Sequence, residues 1–177
     1  MIEIRLLTTA FLITWTFVSC LETIPTLAAD GNTKDGQRLT SKELAQHVTI
    51  HRDEWGVAHL FGDTDESTLF GAGYAQAEDY FWQLEDTTIQ AIGRYAEVRG
   101  KDGLKTDLLV RSFELARRSE ADFAKLPPES QKLLEAFAAG VNHLLATAPS
   151  VKPRLLDQFE AWHVLAIDRY LMLTMTY

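Results

Sequence analysis

The sequence contains a single cysteine, Cys20, which excludes an intrachain disulfide and a metal site built from several thiolates. It is also short of basic residues, with 17 Lys and Arg against 25 Asp and Glu and a formal net charge of −8 at pH 7. Binding to a nucleic-acid backbone needs clustered positive charge, because basic side chains must displace the phosphate counterions. Nucleic acid is therefore not an expected partner.

The overall composition excludes several further classes of protein. The 177 residues are 46% hydrophobic and 24% charged, which is close to the average for a soluble globular domain. A disordered tail, a collagen-like repeat and a multi-span membrane protein all depart from these values. The length is sufficient for one domain and too short for two of ordinary size.

Residues 1–29 have the pattern of a secretory signal peptide. The apolar run from Leu6 to Leu21 is shorter than the roughly 20 residues that a membrane-spanning helix needs. Small residues follow this run, so cleavage is expected near Ala28, with an uncleaved anchor as the alternative. Cys20 follows Phe-Val-Ser, which leaves a lipoprotein signal open. The sequence predicts a periplasmic or secreted protein that meets a membrane only through this segment.

The next part of the chain predicts a flexible lead followed by a β-hairpin. Residues 30–45 are polar and contain two glycines at their start. Residues 47–51 alternate in polarity and are rich in β-branched side chains, as is typical of a strand. Residues 53–56 have turn composition, and residues 57–61 provide the returning strand.

A long helix is predicted after the hairpin. Asp63 and Glu66 have the spacing of a capping box, which marks a helix N-terminus. Apolar residues then recur every three or four positions from Phe70 to Tyr95, which indicates one continuous helical face. Gly71 and Gly73 weaken the first turns and indicate a kink or a close approach of another helix.

Further helices are predicted in the second half of the chain. One apolar face runs from Leu109 to Phe123 and ends before the Pro127-Pro128 pair. A second helix starts with Pro128 at its first position and ends before Pro149. Three tryptophans are expected to anchor the core: Trp55, Trp82 and Trp162.

The last segment is apolar on nearly all sides. Between Leu165 and Met175 only Asp168 and Arg169 are charged, and no helix-stop signal precedes Tyr177. A helix that is apolar all round must be buried all round. We therefore expect this sequence to be part of a larger fold that is cut at its C-terminal side.

Motifs that carry chemistry are few. His47 and His51 lie four positions apart on one strand, about 13 Å along it, which is too far for one metal ion. Three carboxylates on the long helix could form a general acid and base pair, or could simply be solvated: Asp79, Glu85 and Asp86. The sequence has no Gly-x-Ser-x-Gly elbow and no phosphate-binding loop.

The arrangement nevertheless resembles a known family. The stretch VTIHRDEWGVAHLFGDTDESTLFGAGYAQAEDYFWQLEDTTIQAIGRYAEVRG, from Val48 to Gly100, is similar in order and spacing to the N-terminal part of the penicillin amidase family. The similarity continues more loosely through KTDLLVR and LLEAFAAGVNHLL up to Trp162. Ala58 and Tyr80 depart from the family pattern, which usually has Pro and Arg at these positions.

The resemblance implies an N-terminal nucleophile hydrolase with the αββα fold, made as a precursor that is cut into an α chain and a β chain. The first residue of the β chain, usually Ser, is the nucleophile, and its own α-amine is the base. It attacks an acyl amide and forms an acyl-enzyme. Family substrates include penicillins and cephalosporins, N-acyl homoserine lactones and acylated peptides, and some members bind calcium.

The nucleophile itself is not in this sequence. Each of the ten glycines is followed by a residue other than Ser, Thr or Cys, so the Gly-Ser type of processing site is missing. We therefore expect residues 46–177 to be the truncated first part of such an α chain. Its expected fold is α+β and mostly helical, with the β chain of the same precursor as its partner. We expect no catalytic residue, no metal ligand and no activity of this part alone, and calcium only in the full enzyme.

Contacts to the small acyl-amide substrate are expected from the last helix. Family α chains line the acyl pocket from the helix near their C-terminus, and Met172, Met175 and Tyr177 lie in the corresponding stretch. A flexible thioether suits a pocket that must adapt, although buried Met is also common as ordinary core filling. The alternative to an acylase fragment is a non-catalytic exported helical binding protein or a decayed gene fragment.

Overall fold

The computed structural model describes residues 39–176, which form a small antiparallel hairpin and a set of helices. The described chain is α+β and mostly helical, as the sequence predicts. Its elements, in chain order, are helix α1 (Ser41–Gln46), strands β1 (Val48–Arg52) and β2 (Ala58–Gly62), helices α2 (Asp65–Ala91) and α3 (Tyr95–Arg99), a 3₁₀ turn (Gly100–Gly103), and helices α4 (Leu104–Ser112), α5 (Leu115–Phe123), α6 (Pro128–Thr147) and α7 (Ala161–Thr176).

The hairpin agrees with the prediction to within one residue at each strand end. Its two strands are antiparallel, and His51 lies opposite His59. The turn is closed by Asp53, whose Oδ1 accepts the backbone N–H groups of Trp55 and Val57, both at 2.9 Å. Gly56 has a φ of 79°, a conformation that glycine adopts without steric cost. Side-chain capping of this kind explains why Asp-x-x-Gly reads correctly as a turn.

The flexible lead expected over residues 30–45 is wrong for its last part, because residues 41–46 form α1. Thr40 and Glu43 make a complete capping box, with each side chain accepting the backbone N–H of the other residue. Leu44 is buried against Phe70 and Ala136. A cap and one buried leucine are enough to order a helix of this length against the rest of the fold.

The long helix α2 begins one residue later than the capping pattern suggests. Thr64 is the N-cap, and its hydroxyl accepts the backbone N–H of Ser67 at 3.1 Å, while Asp63 pairs with His47 at 2.8 Å. The break in the helix lies at Tyr80, where φ is −145° and ψ is 46°. The sequence indicated a kink or a close helix approach near the two early glycines, and at Gly73 the second of these is observed.

Helices α2 and α6 cross at two glycines. A Cβ atom at Gly140 would overlap the backbone of Phe70 and Tyr74, and one at Gly73 would overlap the backbone of Phe137. Around this crossing lies the main core cluster, whose buried members are Ala77, Phe81, Leu84, Ala138, Val141, Leu144, Phe159 and Ala161. The small residues let the two longest helices pack backbone to backbone.

The predicted single helical face from Leu109 to Phe123 is divided between two helices. Glu114 separates α4 from α5 with a φ of 54°, in the left-handed region that ends a helix. The helix from Pro128 to Thr147 matches its prediction at both ends. Within the described range, no helix combines the length and the apolar character that crossing a bilayer requires.

Two of the three tryptophans expected in the core are exposed. Trp55 lies in the hairpin turn and is 82% exposed, and Trp82 is also exposed on α2. Trp82 still contacts the buried ring of Phe81 edge-on. Trp162 is half-buried at the start of α7, where its ring contacts His163. The presence of a tryptophan in the sequence therefore does not decide whether it lies in the core or on the surface.

Candidate functional site

The candidate site is the outer face of α7, which carries Met172 and Met175. These two residues share one side of the helix with Asp168 and Leu171, because spacings of three and four bring side chains together. All four are exposed, Met172 at 60% and Met175 at 80%. Tyr177, the third predicted pocket residue, lies outside the described residues. Leu171, Met172 and Met175 thus form an apolar stripe that is open to solvent, with Asp168 at its N-terminal end.

The opposite face of α7 is attached to the rest of the fold. Ala166 is fully buried. The hydroxyl of Tyr170 donates to Oε1 of Gln90 on α2 at 2.7 Å. Arg169 donates to Ser119 at 3.1 Å and to Asp122 at 2.7 Å, both on α5. These bonds hold the middle of α7 with its methionines turned outward.

Asp122 is stabilised as a carboxylate by two cations. Lys125 pairs with its Oδ1 at 3.0 Å, and Arg169 pairs with its Oδ2 at 2.7 Å. Hydrogen bonds from Lys125 and Arg169 hold the pKa of Asp122 below its usual value. The contact between α5 and α7 therefore keeps its charges at neutral pH.

An irregular segment, residues 148–160, connects α6 to α7, and we call it the strap. It has no regular secondary structure, so its backbone groups need partners from elsewhere. Three polar side chains from the neighbouring helices provide them: Glu85 of α2, Asn142 of α6 and His163 of α7.

Glu85 makes the largest number of these bonds. Its Oε1 accepts the backbone N–H groups of Arg154, Leu155 and Leu156 at 2.7, 2.9 and 3.2 Å. Its Oε2 accepts Nε of Arg154 at 3.2 Å, and the neighbouring Asp86 accepts Nη2 of the same arginine at 2.8 Å. The Glu85 side chain is fully buried. Backbone and guanidinium donors together compensate the cost of burying its charge.

The end of the strap is fixed by an amide and an imidazole. The side chain of Asn142 donates to the carbonyl of Phe159 and accepts its N–H, both at 2.8 Å. Nδ1 of His163 accepts the N–H of Glu160 at 3.0 Å, which places the proton of the neutral ring on Nε2. Burial lowers the pKa of His163 to about 4, so the ring is neutral at pH 7.

The carboxylates singled out in the sequence have different environments. Asp79 pairs with Arg52, which also binds Glu78 and reaches the hairpin turn. Glu85 is neither a solvated carboxylate nor exposed enough to act as an acid or base. Its signal in the sequence is its position four residues after Phe81, on the buried face of α2, where a charged residue needs a partner.

Of the two histidines considered as a metal pair in the sequence, His47 and His51, the second is exposed and lies opposite His59 on β2. His47 bonds to Asp63, and His59 bonds to Asp53 at 3.1 Å. The bond from His59 lowers the pKa of Asp53, together with the two turn N–H groups that it accepts. Over residues 39–176, no group of three or more His, Cys, Asp and Glu side chains is arranged to hold a metal ion.

Comparison with known proteins identifies relatives of most of the described region. The model of the penicillin amidase family matches residues 47–177. The penicillin acylase 2 proenzyme of Pseudomonas sp. (strain SE83) is 34% identical over 138 residues, covering 75% of this chain and 18% of that protein. The acyl-homoserine lactone acylase QuiP of Pseudomonas aeruginosa is 34% identical over 104 residues, or 59% of this chain and 12% of that protein.

A solved structure gives the same indication. The thermostable penicillin G acylase from Alcaligenes faecalis superimposes with a TM-score of 0.62 at 25% identity, covering 72% of this chain and 73% of that chain. The penicillin G acylase of Escherichia coli is 31% identical over 102 residues, which cover 58% of this chain and 12% of that protein. This chain therefore spans less than a fifth of the length of these curated relatives.

Proposed function

Because the chain belongs to the penicillin amidase family, we propose that it is the N-terminal part of the α chain of an acylase that hydrolyses the amide bond between an acyl group and an amine. The observation that carries this proposal is the family match, which runs from the hairpin through α7. The relatives that this chain matches over part of their length are named as penicillin and acyl-homoserine lactone acylases. Both names describe acylases.

The nucleophile in this proposal comes from a β chain of the same precursor, since no glycine here precedes Ser, Thr or Cys. The hydroxyl of the first β-chain residue attacks the acyl carbonyl while the α-amine of that residue takes its proton. The amine of the substrate then leaves with that proton, and water hydrolyses the acyl-enzyme. The complete enzyme is a candidate for calcium binding, with no ligand proposed from this chain.

The proposed part of this chain in catalysis is to line the acyl pocket. Met172 and Met175 present flexible apolar side chains on the outer face of α7. Tyr177 belongs to the same proposal on the basis of its position in the sequence. Burying such side chains against an acyl group or the β chain is favourable by about 1.5–3 kcal/mol each. The exposed stripe supports this role because no part of the chain within residues 39–176 covers it.

The proposed location is the periplasm or the exterior. Residues 1–29 carry the signal pattern and lie outside the described residues. Expression in a bacterium, followed by mass spectrometry of the exported protein, should give a new N-terminus near Ala28. Soluble cytoplasmic protein that retains Met1 would contradict this location, and a lipid on Cys20 would identify a lipoprotein signal.

The experiment that tests the function compares two proteins: this chain expressed alone and the same chain expressed with a family β chain from the complete reading frame. Only the second is expected to hydrolyse N-phenylacetyl and N-acyl homoserine lactone substrates, because the nucleophile and oxyanion donors are outside this chain. A chromogenic amide assay measures both. Turnover by this chain alone, or none by the complete protein, would contradict the proposal.

The acyl-pocket role predicts a specific kinetic change in the complete enzyme. Met175→Lys should lower kcat/KM for apolar acyl substrates by about 10–100-fold, since a lost apolar contact of roughly 1.5–3 kcal/mol has that effect. The unfolding midpoint should hardly change because Met175 is exposed. Leu108→Lys, at an exposed apolar position on α4, is the matched control. Equal losses in both variants would argue against the pocket.

A further inference from the structure

We infer that Glu85 is a positioning residue for the acyl pocket, because it fixes the strap and thereby the start of the helix that carries the pocket face. The inference rests on the proposed function of α7. Glu85 lies 69 to 71 positions before the residues whose N–H groups it accepts, so it joins two distant parts of the chain. A contact between residues so far apart in the sequence sets tertiary geometry and does not stabilise α2 itself.

The bonding of Glu85 is directed entirely at the strap. Both carboxylate oxygens are used, one by three backbone N–H groups and the other by the guanidinium of Arg154. The side chain is fully buried, so it has no access to a substrate. Its role is therefore to hold other groups in place. Three backbone donors on a single oxygen also specify the conformation of residues 154–156.

The strap passes this placement on to α7. Five positions after Leu156 the chain enters the helix at Ala161. In between, Asn142 binds both backbone groups of Phe159, and His163 binds the N–H of Glu160. The start of α7 is thus connected to Glu85 through a segment whose backbone is bonded at both of its ends.

Two points of attachment define the direction of α7. The strap fixes its start, and Tyr170 and Arg169 fix its middle. If the start were released, a tilt of about 10° about Tyr170 would move the backbone at Met175, about 8 Å away, by roughly 1.4 Å. A shift of this size changes the contacts that the methionines can make with an acyl group, so it acts on substrate binding. Substrate fit at the methionine face should therefore depend on Glu85.

The variants that test this inference separate hydrogen bonding from charge. Glu85→Gln keeps an oxygen that can accept the three backbone N–H groups, but it loses the charge and turns an N–H donor toward Nε of Arg154. Glu85→Asp keeps the charge but retracts the oxygens by one methylene, and Glu85→Ala removes both oxygens. Asp86→Asn is the matched control, because Asp86 binds Arg154 but no backbone group of the strap.

In the complete enzyme, with active sites counted by titration, Glu85→Asp and Glu85→Ala should raise KM for long acyl groups at least tenfold. Their kcat should change less than threefold. Glu85→Gln and Asp86→Asn should stay within about threefold of the wild type in both parameters. A merely structural role would lower the number of active sites and leave KM per site unchanged. If Glu85→Ala does not fold, the KM values of the other two variants decide the inference, and KM should be higher for Glu85→Asp than for Glu85→Gln.

Hydrogen exchange provides a readout that needs no substrate. The amides of Arg154, Leu155 and Leu156, and those of the first turn of α7, should exchange at least 100-fold faster in Glu85→Asp and near the wild-type rate in Glu85→Gln. Unchanged exchange, or an unchanged KM in an active Glu85→Asp enzyme, would overturn the inference. A complete protein without acylase activity would refute the proposed function alone, and the exchange rates would still decide the role of Glu85.

Discussion

Replacing Gly140 with alanine is expected to lower the free energy of unfolding by about 3 kcal/mol, at the upper end of the range for overpacking a core. The added Cβ atom would overlap the carbonyl of Phe70 and approach the backbone nitrogen of Tyr74. Backbone atoms cannot move aside as a flexible side chain can, so α2 and α6 must separate. Alanine favours a helix over glycine by about 1 kcal/mol, which offsets only part of this loss.

Urea unfolding followed by circular dichroism measures this effect. Gly56→Ala is a suitable control, because a Cβ atom there meets nothing within 4 Å and only the φ of 79° is unfavourable. Its cost should be about 1–2 kcal/mol, as for other L residues in the left-handed region. If Gly140→Ala costs no more than the control, α2 and α6 do not pack as closely as the structure indicates.

The local elements of this fold could be read from the sequence because their signals are local. The Asp53 turn and the proline at the start of α6 act within four residues, and both are found where they were predicted. The start of α2 is misplaced by one residue, since Thr64 and Asp63 both have side chains that can cap a helix. The choice between them depends on His47, sixteen positions away, which takes Asp63 as its partner.

The contacts that position the strap and α7 could not be predicted in the same way, because their partners are distant in the sequence. Glu85 and Asn142 bind backbone groups of the strap, and a backbone donor leaves no pattern of residue types in the sequence. Gly73 indicated a close helix approach, but its partner on α6 follows only from the crossing geometry. The proposal that α7 lines the pocket comes from the family resemblance, while the side of the helix that faces outward follows from Arg169 and Tyr170.

Stability should also depend on pH through the buried imidazole of His163. Burial lowers its pKa from 6.5 to about 4, so between these values the unfolded chain binds a proton that the folded chain does not. The part of the unfolding free energy that depends on neutral His163 is therefore fully present above about pH 6.5, and it is lost as the pH falls toward 4. The linkage amounts to about 2 kcal/mol between pH 7 and 5 and about 3 kcal/mol by pH 4.

The carboxylates whose pKa values are lowered contribute little in the upper part of this window. The pKa values of Asp53, Glu97 and Asp122 are lowered by their partners, so these carboxylates lose stability mainly below about pH 4.5. Arg94 and Asp157 line the same cavity as His163, and the pKa of the ring is lowered by its burial. The decrease between pH 7 and 5 should therefore belong mainly to His163.

His163→Phe is the variant that isolates this effect. Phenylalanine keeps a ring against Phe159 and Trp162, but it cannot titrate and cannot accept the N–H of Glu160. The variant should be about 1 kcal/mol less stable at pH 7, and its unfolding free energy should change by about 2 kcal/mol less than that of the wild type between pH 7 and 5. His51→Gln, at an exposed strand position, is the control for removing a histidine outside this site. Parallel pH profiles for wild type and His163→Phe would show that His163 takes up its proton in the folded state as readily as in the unfolded chain.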